Sequence, residues 1–376
     1  MNGYRYPYSL LLVLVCACQF DARGVNPGEN GDTDARTAVG DADGPDGPCV
    51  GSGCSFAYRR PISINVARIG TSLTDVPVAV ILDNTRIDYT KVQPDGADLR
   101  FYSQDLATSL DYEIERWDPA GRSLVWLLIP ELVPSLEPLR LWMYHGDPDA
   151  APGQNPPAVW TNNFVSVHHL AGDYMDSTSA NRHGTTPNNP SDTTGPLGGA
   201  FAFDGNNDYI ALPDETAYDF GTEMSASIWF KVNNFSRDWQ ALLTKGDHSW
   251  RLHRYGGDQM LSFSTTDGGG DHTNHIGVRN VNDGMWHHAL ITYDGARAIL
   301  YIDGAVERND GYTNNLGNTS DPVFIGENNE RRDRYFNGSL DEVRIARVPR
   351  NQDWAVVEFL AATDDTFVVV GPEEAL

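Results

Sequence analysis

Three clusters of aromatic, basic and amide side chains have the composition of a sugar-binding rim. Trp250, Arg251, His253 and Tyr255 form the first, and Asp271, His272 and Asn274 lie in a Gly-rich second. Asn328, Asn329, Arg331, Arg332, Arg334 and Tyr335 make the third. Sugar sites set an aromatic plate against the apolar face of the ring and surround it with polar side chains on loops. Arginines gathered in one loop of a chain with formal net charge −25 suit an acidic glycan. The competing reading neutralises them on Glu327, Glu330 and Asp333. The residues expected to meet a ligand are Trp250, Arg251, His253, Tyr255, Asn328, Arg332, Arg334 and Tyr335.

Support for catalysis is thinner. Glu113 and Glu115 are one residue apart, which on a strand puts both carboxylates on one face, as two-carboxylate glycoside hydrolysis requires. Asp341 and Glu342 are adjacent and should face opposite ways. His168-His169 and His287-His288 are split across their strands in the same manner, so neither pair can jointly hold a zinc ion. No nucleophile elbow accompanies a Ser-His-Asp order, no free cysteine remains, and no phosphate-cradling loop is present. The chain is therefore read as a non-enzyme.

A length of 376 residues has room for about two domains, and 40% apolar residues suit well-cored material. The negative charge argues against nucleic acid, whose binding needs clustered Lys and Arg, and against electrostatic adhesion to anionic lipid. Residues 1–18 have the pattern of an export signal, with Arg5 before the apolar run Ser9 to Val15, which is too short to span a bilayer. Val15-Cys16-Ala17-Cys18 resembles a bacterial lipobox, which implies acylation of Cys18; plain signal-peptidase cleavage is the alternative. Residues 19–54 are rich in Gly, Asp and Pro and read as a flexible acidic tether. At its end stand Cys49 and Cys54, the only cysteines outside the signal segment, and an exported chain should join them in a disulfide.

The elements that must position these groups are strands. Residues 55–152 hold short apolar runs such as Pro61 to Val66, Val76 to Leu82 and Ser123 to Ile129. Turn clusters such as Pro94 to Asp98 separate them evenly, as in a β-sandwich. A Pro-rich linker, Pro152 to Trp160, follows. In residues 160–376 the stretch Trp286 to Gly304 reads as two strands joined by Asp294-Gly295 and closed by Asp303-Gly304, turns that tolerate positive φ. Ser225 to Val232 alternates, Asp353 to Ala361 has helical spacing, and Phe367 to Val370 is expected to close the sheet edge of this second unit.

Trp286-His287-His288-x-Leu290, Tyr293-Asp294-Gly295 and Leu300-Tyr301-Ile302-Asp303-Gly304 resemble the signature hairpin of the laminin-G-like, or concanavalin A-like, jelly rolls. Phe203 to Ile210 and Phe336 to Ile345 fit the same family. In the first unit, Tyr58 to Ile62, Asp95 to Phe101, Asp111 to Glu115 and Met143 to Asp147 resemble a bacterial domain family of unknown function, of DUF2341 type. The two resemblances imply an all-β chain: a small β-sandwich followed by a concanavalin A-like jelly roll. Asp173, Asp176, Ser177 and Asn181 resemble the Asp-x-Ser-x-Asn-x-His-Gly opening of the jelly-roll family, which lies beside the late Asp-Glu strand. That implies a calcium site of Asp173, Asp176, Asn181 and Asp341 with backbone carbonyls, since a hard cation takes oxygen ligands. Asx-turns at Asp176 and Asn181 are the alternative. The expected function is non-catalytic binding at the cell surface of a glycan or a glycosylated or protein partner, by a lipoprotein held to the outer membrane. The alternatives are a glycoside hydrolase or lyase, and a structural envelope protein docking to a transport complex.

Overall fold

The structure, a computed structural model, describes residues 55–269 and 272–376. The signal segment with Cys18, the acidic tether, the Cys49–Cys54 pair and Asp271 lie outside them. Among the described residues, no helix is long and apolar enough to cross a membrane.

The hairpin expected at Trp286 to Gly304 is present. Strands Trp286–Tyr293 and Arg297–Ile302 pair antiparallel, with Ala289 opposite Ile302 and Tyr293 opposite Ala298. The Asp294 carboxylate accepts the amides of Ala296 (2.9 Å) and Arg297 (2.7 Å), while Gly295 supplies the positive φ of 81°. These strands belong to an antiparallel eight-stranded sheet. From one edge it runs Ala305–Gly311, Arg297–Ile302, Trp286–Tyr293, Met224–Val232, Asn337–Ala346, Gly198–Asp204 and Ser191–Gly195, with Phe164–His168 also pairing Asn337–Ala346. A six-stranded sheet faces it, ordered Ile210–Leu212, Val323–Ile325, Ala241–Thr244, Trp250–Arg254, Leu261–Thr265 and Thr273–Ile276. Alternation sends Ile228, Phe230, Ile291, Leu340, Trp250, Phe263 and Ile325 into the shared core.

The first sandwich is built the same way. Leu73–Leu82, Ser123–Leu132 and Tyr112–Arg116 form a three-stranded sheet. Over it lies a five-stranded sheet whose central strands, Tyr58–Ile64 and Leu139–His145, pair from Tyr58–His145 to Ile64–Leu139. Ile62, Val78, Phe101, Leu127 and Met143 fill the space between.

One strand near the C-terminus departs from expectation. Val368–Val370 does not edge the jelly roll; it pairs with Tyr58–Ile64, Ile62 opposite Val370 and Ile64 opposite Val368. The helix Gln352–Thr363 carries the chain back there. Its Trp354, Val357 and Leu360 enter the first sandwich's core, while Ala355 packs on Leu290 and Tyr301 of the jelly roll. An apolar surface on two sides is satisfied only between two partners.

A second departure lies in Asn337–Ala346. Asp341 stands opposite Trp229 and Arg344 opposite Ser227, so the strand holds an extra residue at Glu342, whose φ is 51°. A β-bulge sets two consecutive side chains against one on the partner strand. Leu340 and Val343 point into the core while Asp341 and Glu342 both stay out of it. The expectation that these acids face opposite ways is corrected by the bulge.

Candidate functional site

Two groups of polar side chains stand out. The first lies between the sandwiches, on the face of the eight-stranded sheet turned away from the jelly-roll core. His169 follows the strand Phe164–His168 and is its centre. Its Nδ1 lies 3.0 Å from Glu342 Oε1 and 3.2 Å from Glu115 Oε2, and its Nε2 lies 3.3 Å from Glu113 Oε2. Glu113 and Glu115 come from Tyr112–Arg116 of the first sandwich, on one strand face as their spacing predicts. Indoles orient them: Trp160 Nε1 donates to Glu113 (2.5 Å) and Trp126 Nε1 to Glu115 (2.7 Å), while Ser177 Oγ donates to Glu113 (2.7 Å). Arg344 donates to Glu342 (2.6 Å) and to Glu358 of the helix (2.9 Å), with its guanidinium 4.3 Å from the Trp126 ring centroid. His288 Nε2 lies 3.2 Å from Glu358.

Burial alone would raise every carboxyl here, and its neighbours decide the outcome. Burial and the charge of Glu342 push Glu115 well up, and the same two causes push up Asp341. Glu342 is instead held at about 2 against burial by His169 and Arg344. Glu358 also sits at about 2, held by its His288 hydrogen bond and by Arg344. Burial disfavours the His169 cation, yet Glu342, Glu115 and Glu113 raise it well above the ordinary imidazole range. Among the described residues, Glu115, His169 and Glu342 are the histidine–carboxylate group whose ligand atoms all lie within 4.8 Å of one another. A buried group of this kind could coordinate a divalent cation.

The acids expected to bind calcium are not arranged for it. Asp176 Oδ1 accepts the amides of Val167 and Thr178 (3.0 Å each), and its Oδ2 accepts the Arg182 amide (2.8 Å) and the Thr178 hydroxyl (2.9 Å). Asp173 caps the Met175 amide, and the Asn181 side chain donates to Ser179 O. These are the turn bonds named as the alternative. Asp341 lies under the Gly195–Gly198 turn, where a Cβ on Gly195 would meet its Oδ2 at 2.2 Å.

The second group lies on the outward face of the six-stranded sheet. Asp247 is its hub, accepting Arg251 (2.9 Å), Arg334 (2.7 Å) and Asn328 (2.8 Å). Arg251 Nε donates to His253 Nε2 at 3.2 Å, and His253 Nδ1, 2.7 Å from the Arg254 carbonyl, must be the protonated nitrogen. Burial and the charge of Arg251 keep that ring neutral, well below its usual range. Ser264 Oγ bridges His253 (2.7 Å) to Asn274 (2.5 Å). Trp239, at φ 62°, lays its half-buried ring 5.5 Å from His253 and 5.3 Å from Tyr255. Arg332 stacks 5.1 Å over both Tyr209 and Phe324, and Arg237 lies 5.9 Å over Tyr335.

The first and third expected clusters are thus brought to one face. Trp250 is a correction: it is fully buried in the jelly-roll core, its Nε1 donating to Tyr218 O (3.2 Å). Strand parity explains this, since Trp250 and Leu252 face the core while Arg251 and His253 point to the opposite side of the sheet, where they too are buried beneath the surface, at 4% and 1% exposure. The aromatic missed in the sequence is Trp239, whose signal is its place in the polar loop Ser236 to Gln240 just before a strand.

Comparison with curated proteins finds no match. Among solved structures, the chain is similar to the binding domain of Paraclostridial Mosquitocidal Protein 1: 16% identity, TM-score 0.46, covering 54% of this chain and 53% of that one. It is also similar to domain 4 of AbnA, an extracellular arabinanase of Geobacillus stearothermophilus in complex with arabinotriose: 19% identity, TM-score 0.44, covering 52% and 97%. The binding domain of botulinum neurotoxin DC in complex with SialylT gives 12% identity and TM-score 0.44, covering 54% and 52%. The chain spans about half the length of the two toxin binding domains. Residues 95–182 match the domain of unknown function DUF2341, and residues 204–355 match the Concanavalin A-like lectin/glucanases superfamily. The first match runs through the linker and past His169, so it spans residues on both sides of the junction. The chain therefore carries an N-terminal DUF2341 domain followed by a concanavalin A-like jelly roll of laminin-G type.

Proposed function

We propose that this chain binds a carbohydrate, or a glycosylated or protein partner, without transforming it, through the outward face of the six-stranded sheet. The observation that carries this is Trp239, a bulky residue held in the left-handed region beside a fixed guanidinium–carboxylate network. Such a backbone costs on the order of 1–3 kcal/mol and persists where the surroundings over-determine it, as at ligand clamps. The ring offers a stacking plate, and Tyr255, Asn274 and Arg334 offer polar contacts around it. Arg331 and Arg334 are engaged by Asp247, which leaves Arg332, stacked on Tyr209 and Phe324, as the cation offered to a sulfated or uronic glycan. The group that could take a cation, Glu115, His169 and Glu342, lies at the junction rather than on this face. Lipid on Cys18 would display the module at a cell surface, and loss of acyl labelling in Cys18→Ala tests that part.

A glycan array probed with the full chain, with and without chelator, tests the carbohydrate reading. Signal on acidic glycans, lost in Trp239→Ala, is the expected outcome. Silence across all glycans removes it, and binding unchanged by chelator removes calcium.

A further inference from the structure

We propose that Glu115, His169 and Glu342 form a binding site for a divalent first-row transition metal that staples the two sandwiches together. The inference does not depend on the glycan reading. Glu115 belongs to the first sandwich, while His169 and Glu342 belong to the jelly roll, so one ion would tie strands from both.

The geometry already has the edges of a coordination polyhedron. Ligands about 2.1 Å from a metal are roughly 3.0–3.4 Å from each other in octahedral or tetrahedral arrangements. His169 Nδ1 lies 3.0 Å from Glu342 Oε1 and 3.2 Å from Glu115 Oε2. The supporting groups are those that metal-bound ligands require. A ligating histidine hands its other ring N–H to a carboxylate, which fixes its tautomer. Here Glu113 Oε2, locked by Trp160, faces His169 Nε2 at 3.3 Å, leaving Nδ1 for the metal. Arg344 holds Glu342 Oε2, itself 3.1 Å from His169 Nδ1, and Trp126 holds Glu115 Oε2.

Independent of that arrangement, several buried carboxylate oxygens meet no hydrogen-bond partner. They are Glu115 Oε1 and both oxygens of Asp341, in side chains that are almost wholly buried. Buried polar atoms without partners are rare and call for an explanation such as an ion. A dication would satisfy the buried acids gathered at this junction, Glu115, Glu342 and Asp341. A cavity of about 240 Å³ between the sandwiches, lined by Arg116, Gly195, Leu197 and Gly198, lies beside the group. A Cβ on Gly198 would lie 3.8 Å from Glu115 Oε1. An imidazole nitrogen with carboxylates selects zinc, manganese, cobalt or nickel over calcium, which takes oxygen ligands.

The test uses the full chain, stripped with chelator and dialysed in turn against zinc, manganese, cobalt and calcium, with bound metal counted by elemental analysis. One transition-metal ion per chain is expected, together with a higher unfolding midpoint than the stripped protein. Glu115→Gln and His169→Gln should each retain it at least about tenfold more weakly. Because either variant could fail to fold, anomalous scattering from wild-type crystals grown with zinc supplies the second readout. A peak between the three side chains supports the staple. A peak elsewhere, a preference for calcium, or no stoichiometric transition metal on the wild type overturns it.

Discussion

At the scale of single residues, Arg344 and His287 show how buried charge is managed. Arg344 is almost wholly buried, pairs with Glu342 and Glu358, and lies against two indoles. Removing one member of such a network strands the others, so Arg344→Met should cost about 3–5 kcal/mol in chemical denaturation. His287 is a clasp on the signature hairpin: its Nδ1 lies 2.9 Å from Asp303 Oδ2 and its Nε2 3.2 Å from Asp283. Burial opposes its charge, but the hydrogen bond and charge of Asp303, then those of Asp283, raise its pKa above the usual imidazole value. A raised histidine stabilises fully below the unfolded pKa of about 6.5 and loses that contribution as pH climbs through the folded value. The stability difference between wild type and Asp303→Asn should therefore be largest near pH 6 and shrink at higher pH. A difference that grows with pH contradicts the clasp. The Asp-Gly turns around this hairpin were legible in the sequence because their chemistry is local. The pairing of His169 with Glu115 was not, since it joins side chains from two domains across a bulge that strand parity does not anticipate.

At the scale of elements, the helix Gln352–Thr363 decides how the sandwiches meet. The Asn351 side chain accepts the Trp354 amide (3.0 Å), and Asp353 accepts the amides of Gly70 (3.0 Å) and Thr71 (2.8 Å). Asn351→Ala should cost about 1 kcal/mol, measured as a lower urea midpoint with an unchanged slope. The sequence shows this helix and one apolar stripe on it, Trp354, Val357 and Leu360. It does not show that Ala355 and Glu358 on another side are buried against the jelly roll, because a short polar face reads as solvated until its partner is known. The same holds for Val368–Val370, whose apolar run fits either sheet edge and goes to the first sandwich through pairing with Ile62 and Ile64.

At the scale of the whole molecule, the first sandwich draws on both ends of the described chain. A fragment of residues 55–152 lacks Trp354, Val357, Leu360 and Val368, each worth roughly 1.5–3 kcal/mol of apolar burial. It should show no cooperative thermal transition by circular dichroism, while residues 55–376 melt in one step. Two separate transitions in the longer chain would contradict a shared core. The same arrangement leaves the outward face of the six-stranded sheet, around Trp239, Tyr255 and Arg334, as the surface on which a ligand would rest. The most direct test is titration of the array's strongest glycan into wild type, Trp239→Ala, Arg334→Ala and the junction variant Glu113→Gln. The account predicts at least about tenfold weaker binding for the first two variants, from lost stacking and charge-assisted hydrogen bonds, and unchanged affinity for the third. Equal affinity in all four proteins, or loss only in Glu113→Gln, would place the ligand elsewhere.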